Sequence, residues 1–429
     1  MRKCNFANSF LRIFGDDSQL TFRNGQLEPV SSIHDTDKKQ PLRWRSRAQV
    51  AGVSVLCLMM PLGLHAQRTG ATLNTVRIDT SKATQVESYW TSERLAHAKT
   101  VQLTPQIGVN DFPLSAGEPQ SSNEPAVRGG GSAPSLHADP LMRKMLVQPS
   151  DLAAGAEEME QQTPFDRITP EATSSFGAYF TTGRVFPDAA TTAYPYGVAG
   201  KLFFTDPKTG GNFVCSASVL RPRIIVTAGH CVTSPSTDPK QRYFYSNFLF
   251  VPAYNNGAAP YGVWTPSTIG VTNEWYFSNG SVPNAQDVGM LVAVDHRGVK
   301  LGQYTGWLGY YTNQLSKNHV TMLGYPCNLD SCTKMQESFA QTFQSGGNNT
   351  YIYGSAMRGG ASGGPWIQDF GVAPAGAPRG VLANNYLVAV TSYGPISTTP
   401  MYLGASNLDS RFLNLLSMVC GSATSGNCQ

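Results

Sequence analysis

The chain has little charge for its length, with 14% Asp, Glu, Lys and Arg and a formal net charge of +4. It has no dense basic run: residues 1 to 49 hold 9 Lys and Arg against 5 Asp and Glu, residues 50 to 183 hold 9 against 13, and residues 184 to 429 hold 14 against 10. A dedicated nucleic-acid surface, which needs a clustered basic stripe, is therefore not expected. Close Cys-x-x-Cys pairs are missing, which argues against a structural zinc site. No loop concentrates carboxylates, so no cofactor or metal is called for, although calcium sites built from backbone carbonyls leave no such trace. Internal repeats are absent too.

Long apolar runs are equally scarce. The one candidate, Val50 to Leu64, follows Arg43, Arg45 and Arg47 and ends near Ala66-Gln67. It is short for a bilayer span and is interrupted by Pro61, so it reads as a signal peptide rather than a permanent anchor. Residues 1 to 66 are then leader and signal, and the expected location is secreted, extracellular or periplasmic. The polar leader is long for a signal n-region, which would be explained if translation began near Leu42. Two of the eight cysteines, Cys4 and Cys57, precede the expected cleavage. Six remain, Cys215, Cys231, Cys327, Cys332, Cys420 and Cys428, an even number that suits disulfides in an oxidising compartment. Fifteen connectivities are open; sequence proximity favours Cys327 with Cys332 and Cys420 with Cys428.

Residues 67 to 183 are rich in Pro, Gly, Ser, Ala and Glu, include Gly129-Gly130-Gly131-Ser132 and lack cysteine. This composition predicts a largely low-order propeptide, with short elements near Val86 to Ala98 and Leu141 to Val147. A plain linker is the alternative. From Arg184 to Gln429 the texture changes to short apolar or alternating runs divided by Gly, Pro, Asn and Ser: Gly200 to Thr205, Phe213 to Leu220, Ile224 to Ala228, Phe248 to Ala253, Val288 to Val294, Val320 to Tyr325 and Leu387 to Ser392. Many short strands with turn signals predict an all-β barrel or sandwich. Leu408, Phe412, Leu415 and Leu416 recur at helical spacing and predict a C-terminal helix on the preceding barrel.

Acyl transfer by a serine needs a base, a group to orient it and donors for the oxyanion. Ser362 lies in Gly359-Gly360-Ala361-Ser362-Gly363-Gly364-Pro365, where glycines let backbone amides approach a carbonyl; Gly360 and Ser362 N–H are the candidate oxyanion donors. His230 lies in Ile225-Val226-Thr227-Ala228-Gly229-His230-Cys231, and Asp287 in Gln286-Asp287-Val288-Gly289-Met290-Leu291, just before an apolar run. The order His, Asp, Ser differs from that of subtilisin and of α/β-hydrolases.

These three segments resemble the motifs of chymotrypsin-like (trypsin-like) serine peptidases, particularly bacterial secreted members related to glutamyl endopeptidases, over about residues 185 to 418. The resemblance implies two antiparallel six-stranded β-barrels with the catalytic groups His230, Asp287 and Ser362 at their cleft. It also implies a Cys215–Cys231 bridge and a monomer acting on protein or peptide substrates. Three departures matter. Ala361 stands where trypsin-like enzymes keep the aspartate that pairs with a new N-terminus, so any processing near Arg184-Val185 would act by uncovering the site. Ala356 stands at the position of a basic-specific pocket aspartate. Ser392, Tyr393 and Gly394 resemble the strand that pairs with the substrate backbone; Thr391 replaces the histidine typical of glutamyl endopeptidases. Arg358 is either an anion partner or a solvated loop residue. A non-catalytic binding protein on a protease scaffold and an esterase-like hydrolase are the competing functions.

Overall fold

The structure is a computed structural model that describes residues 22–23, 26–27, 74–105, 124–162, 178–373, 375–376, 385–397, 401–421 and 426–429. It divides into two units, Met1–Gln67 and Arg68–Gln429. In the first, the described residues form one antiparallel pair, Phe22–Arg23 with Gln26–Leu27; the expected signal segment and its cleavage point lie outside the described residues.

The second unit holds two β-sheets. In the first sheet the order is Ser246–Pro252, Ala199–Thr205, Asn212–Val219, Ile224–Thr227, Gly289–Ala293 and Pro266–Val271, all antiparallel. Its two outer strands meet through a mutual backbone pair between Phe250 and Trp264, 2.8 Å in each direction. The six strands thereby curl into a barrel, and Leu202, Val214, Val226 and Met290 on them are fully buried, as is Trp264. The second barrel closes completely. Pro365–Gln368, His319–Gly324, Gln336–Gly347, Thr350–Gly354, Tyr402–Asn407 and Tyr386–Tyr393 pair in that order, and the last returns to the first. Closure removes the unpaired edges that invite association. Together the two barrels form the chymotrypsin-like architecture.

The C-terminal helix is Ser410–Cys420, started by Asp409, whose side chain accepts from Arg411 N at 3.0 Å. It buries Phe412, Leu415, Leu416 and Val419. It packs on the Pro266 and Gly289 strands, so it returns to the first barrel rather than the second. Gly270 makes room for it, since a Cβ there would stand 3.2 Å from Leu415. Disulfides join Cys215 to Cys231, Cys327 to Cys332 and Cys420 to Cys428. The first closes a loop of 16 residues, worth about 3 kcal/mol by loop entropy.

Residues 74–105 and 124–162 carry more order than their composition alone provides for, because they use the core of the barrels. Asn74–Arg77 extends the first sheet beside the Pro266 strand, and Arg128–Gly129 pairs with Gly309–Tyr311 of the second. Helices Ala83–Tyr89 and Ser92–Ala96 flank Trp90, which is buried, packs at a tilt against the Phe203 ring at 5.5 Å and donates through its indole N–H to Asn247 O at 2.6 Å. Leu95, Ala98 and Val147 are buried as well. Each large apolar side chain so placed contributes on the order of 2 kcal/mol. Phe180–Arg184, upstream of the expected domain boundary, is a strand of the second sheet paired along Gln336–Ala340.

Candidate active site

The Ile224 strand ends at Thr227, and after Ala228 the chain turns through a single 3-10 turn, Gly229–Cys231. Glycine is required at 229, because a Cβ would lie 2.6 Å from the Trp275 ring. The Cys215–Cys231 bridge ties this turn to the neighbouring strand. His230 is 2% exposed, and Asp287, just before the Gly289 strand, is fully buried. One carboxylate oxygen of Asp287 accepts from His230 N at 2.8 Å; the other lies 2.8 Å from His230 Nδ1 and accepts from Ser392 Oγ at 2.6 Å. A buried carboxylate without such partners would be costly, so these contacts hold both the charge and the imidazole plane.

The serine loop is fastened to the first barrel by Ser216. Its hydroxyl donates to Gly360 O at 2.8 Å and accepts from Tyr325 N at 2.9 Å, while its amide donates to Ser362 O at 2.8 Å. Gly359 O accepts from Cys327 N at 2.7 Å and Ala361 O from Gly364 N at 2.9 Å. In a planar trans peptide the N–H points opposite to the C=O, so the amides of Gly360 and Ser362 are aimed away from these partners. Gly360 at φ +98° and Gly363 at φ +77° adopt backbone that other residues rarely take, and a Cβ on Gly363 would sit 2.0 Å from Thr227 Oγ1.

The structure thus brings Asp287 and His230 into contact. Ser362 Oγ, in contrast, donates to Val101 O at 3.2 Å, and His230 Nε2, buried, has no hydrogen-bond partner among the described residues. Of the residues expected to meet substrate, Gly394 presents both its backbone groups to residues 102 and 103. Ser392 turns its hydroxyl to Asp287, and Tyr393 is buried with its hydroxyl 2.9 Å from Thr350 Oγ1. Ala356 is buried in the loop before the serine, its carbonyl accepting from Asn328 Nδ2 at 2.9 Å.

Arg358 is not a solvated loop residue. It is 6% exposed, and its guanidinium donates to Ser397 O at 2.9 Å, Met357 O at 2.8 Å and Ser355 O at 3.2 Å. Burial lowers its pKa to about 10. Val185 is buried and bonds through its amide to Met335 O at 3.0 Å. Sequence reasoning missed Ser392 as a partner of Asp287. It missed the role of Val101 and Gln102 as well, since neither sits in a motif.

No protein-family model matches the chain. It is 26% identical over 147 residues to an extracellular metalloprotease of Bacillus subtilis, and 28% identical over 148 residues to the glutamyl endopeptidase of Bacillus licheniformis. These stretches are 33% and 34% of this chain and 42% of each relative, so the chain spans about two fifths of the length of the curated relatives it matches. Among solved structures, the protease Anisep from Arthrobacter nicotinovorans aligns with 53% of this chain and 96% of its own, at 26% identity and a TM-score of 0.44. A thermostable serine protease, AL20, aligns with 53% and 96% at 23% identity and a TM-score of 0.43.

The two joined barrels place the chain in the chymotrypsin-like class. Within it, the chain is similar to the glutamyl endopeptidase of Bacillus licheniformis over the matched 148 residues. The name of the Bacillus subtilis relative raises the question of a metal. Among the described residues, Cys215, His230 and Cys231 form a group with ligand spacing, but the two sulfurs are bonded to each other and Asp287 engages the imidazole. A disulfide offers no thiolate, so these residues do not fit a metal centre.

Proposed function

We propose that the chain is the precursor of a secreted serine endopeptidase, with Ser362 as nucleophile, His230 as general base and then acid, and Asp287 as the group that orients His230. The observation that carries this reading is the Asp287–His230 pair, held by two 2.8 Å contacts in a fully buried setting within the cleft that contains Ser362. With Nδ1 engaged by Asp287, Nε2 is the ring nitrogen left to take the proton from Ser362 Oγ. The alkoxide oxygen attacks the scissile carbonyl carbon, and the amides of Gly360 and Ser362 receive the negative charge that develops on the carbonyl oxygen. His230 passes the proton to the leaving amine, and water, activated by the same imidazole, releases the acyl group and restores Ser362. Secretion is supported by the three disulfides. Among the described residues no helix is long and apolar enough to cross a membrane.

The test is labelling of the secreted, processed protein by a fluorophosphonate, with the adduct located by mass. Ser362 is expected to carry the label, Ser362→Ala to stay unlabelled, and Asp287→Asn to lose on the order of 10⁴ in turnover. A label on another residue, or full turnover by Ser362→Ala, overturns the assignment.

A further inference from the structure

The cleft is occupied by a stretch of the chain's own upstream segment. Lys99–Thr100 pairs in parallel with Phe213–Val214 of the first barrel. Val101 O then meets Ser362 Oγ, and Gln102 reaches across the cleft. The Gln102 carboxamide accepts from Gly359 N at 2.7 Å and donates to Gly394 O at 3.2 Å and Pro395 O at 2.5 Å, linking the loop before the serine to the strand beyond it. Leu103 O accepts from Gly394 N at 3.1 Å. The segment is anchored upstream by buried Trp90, Leu95 and Ala98.

Two features make this a blocked arrangement rather than a substrate awaiting cleavage. The first is the direction of the Ser362 hydroxyl. Attack requires the oxygen to face the carbonyl carbon while its proton faces His230 Nε2; here the proton is directed at the Val101 oxygen, and Nε2 has no partner. The second is chain polarity. By the resemblance of Ser392-Tyr393-Gly394 to the strand that pairs with the substrate backbone, the acyl half, which ends in the attacked carbonyl, lies along Gly394, and the residues after it leave along the opposite wall. In this segment Thr100, before the carbonyl, lies on the Phe213 wall, and Gln102 and Leu103, after it, lie between Gly359 and Gly394. The would-be leaving half is the half pinned by four hydrogen bonds.

We propose that Lys99–Leu103 is a built-in inhibitor that threads the cleft in the direction opposite to a cleavable substrate, pins itself through Gln102 and draws the Ser362 hydroxyl away from His230. This rests on the reading of Ser362, His230 and Asp287 as the catalytic groups. Its partner chemistry is narrow: a neutral carboxamide that both accepts and donates, followed by the backbone carbonyl of the next residue, Leu103.

The experiment compares the full chain with Gln102→Ala and Gln102→Glu, following the rate at which a fluorophosphonate labels Ser362 and, by mass, the integrity of the Val101–Gln102 bond. The glutamate is nearly isosteric but faces two carbonyl oxygens with an acceptor, so it separates loss of binding from loss of packing; near-UV circular dichroism checks that the fold is kept. The expected result is slow labelling of the full chain with the bond intact, and labelling at least tenfold faster in both variants. Equal rates in all three proteins overturn the proposal, as does cleavage at Val101–Gln102, which would make the segment a substrate. If no form is labelled, including the processed protein, the catalytic reading itself falls and this proposal with it; if only the processed protein is labelled, Gln102 is not the pin and the proposal fails alone.

Discussion

Lys201 lies on the Ala199 strand of the first barrel, 4% exposed, with its ammonium 4.9 Å from the Phe203 ring and 4.6 Å from that of Tyr254. Burial lowers its pKa from 10.5 to about 7. Such a shift corresponds to about 5 kcal/mol of disfavoured charge, from which the two ring contacts recover roughly 1 to 2 kcal/mol. The sign follows from proton counting. Between pH 7 and 10.5 the unfolded chain binds a proton that the folded chain does not, so stability rises with pH across that window, by at most about 1.4 kcal/mol per unit. Below pH 7 both states are protonated and the full cost is present. Lys201→Met, made on a Ser362→Ala background to prevent self-digestion, removes the charge and keeps the unbranched stem. Urea unfolding at pH 7 is expected to show the variant more stable by about 2 to 4 kcal/mol, with the difference shrinking below about 1 kcal/mol near pH 10. A difference that is the same at pH 7 and pH 10 would refute the reasoning, because the proton would then not be linked to folding.

Two other perturbations address the site. Ser392→Ala removes a hydroxyl that donates to the buried Asp287 carboxylate, an interaction worth roughly 1.5 to 3 kcal/mol; turnover of the processed enzyme should fall by about 10 to 100-fold, and a change under twofold would show that Asp287 is held without it. Gly363→Ala places a Cβ against Thr227 Oγ1 at positive φ and should lower both the urea midpoint and the rate of fluorophosphonate labelling, the latter at least tenfold; normal labelling would mean that the loop accommodates the methyl group elsewhere.

The contact between Asp287 and His230 was legible, and Ser362 stands out beside them, because each of these residues carries its own local signature. A histidine between small residues and a cysteine, an aspartate before an apolar strand and a serine among glycines each need a particular backbone, and that need shows in neighbouring residues. The strands were legible for a similar reason: runs such as Ile224 to Ala228 bury both faces and are bounded by turn residues. What was not legible depends on contacts distant in sequence. Thr100-Val101-Gln102-Leu103 is ordinary in composition, and its place in the cleft is set by Phe213, Gly359 and Gly394, more than a hundred residues away. Arg358 looked like a loop cation because carbonyl acceptors, unlike carboxylates, leave no mark in a sequence. The same holds for the C-terminal helix, whose apolar face was evident but whose choice of the first barrel depends on the space left by Gly270.

The strand Phe180–Arg184 has a bearing on maturation. Its backbone pairs with Gln336–Ala340, Thr182 Oγ1 lies 2.5 Å from Ser338 Oγ, and the Arg184 guanidinium is paired with Asp330. A cut after Arg184 would sever one covalent bond and leave all of these in place, so the product would be a nicked molecule with its former upstream strand still woven into the second barrel. Shedding that strand would expose the edge along Gln336–Ala340, a surface ready to pair with any extended chain nearby. A cut placed before Phe180 would avoid this, and the strand would then travel with the mature protein as part of its permanent framework.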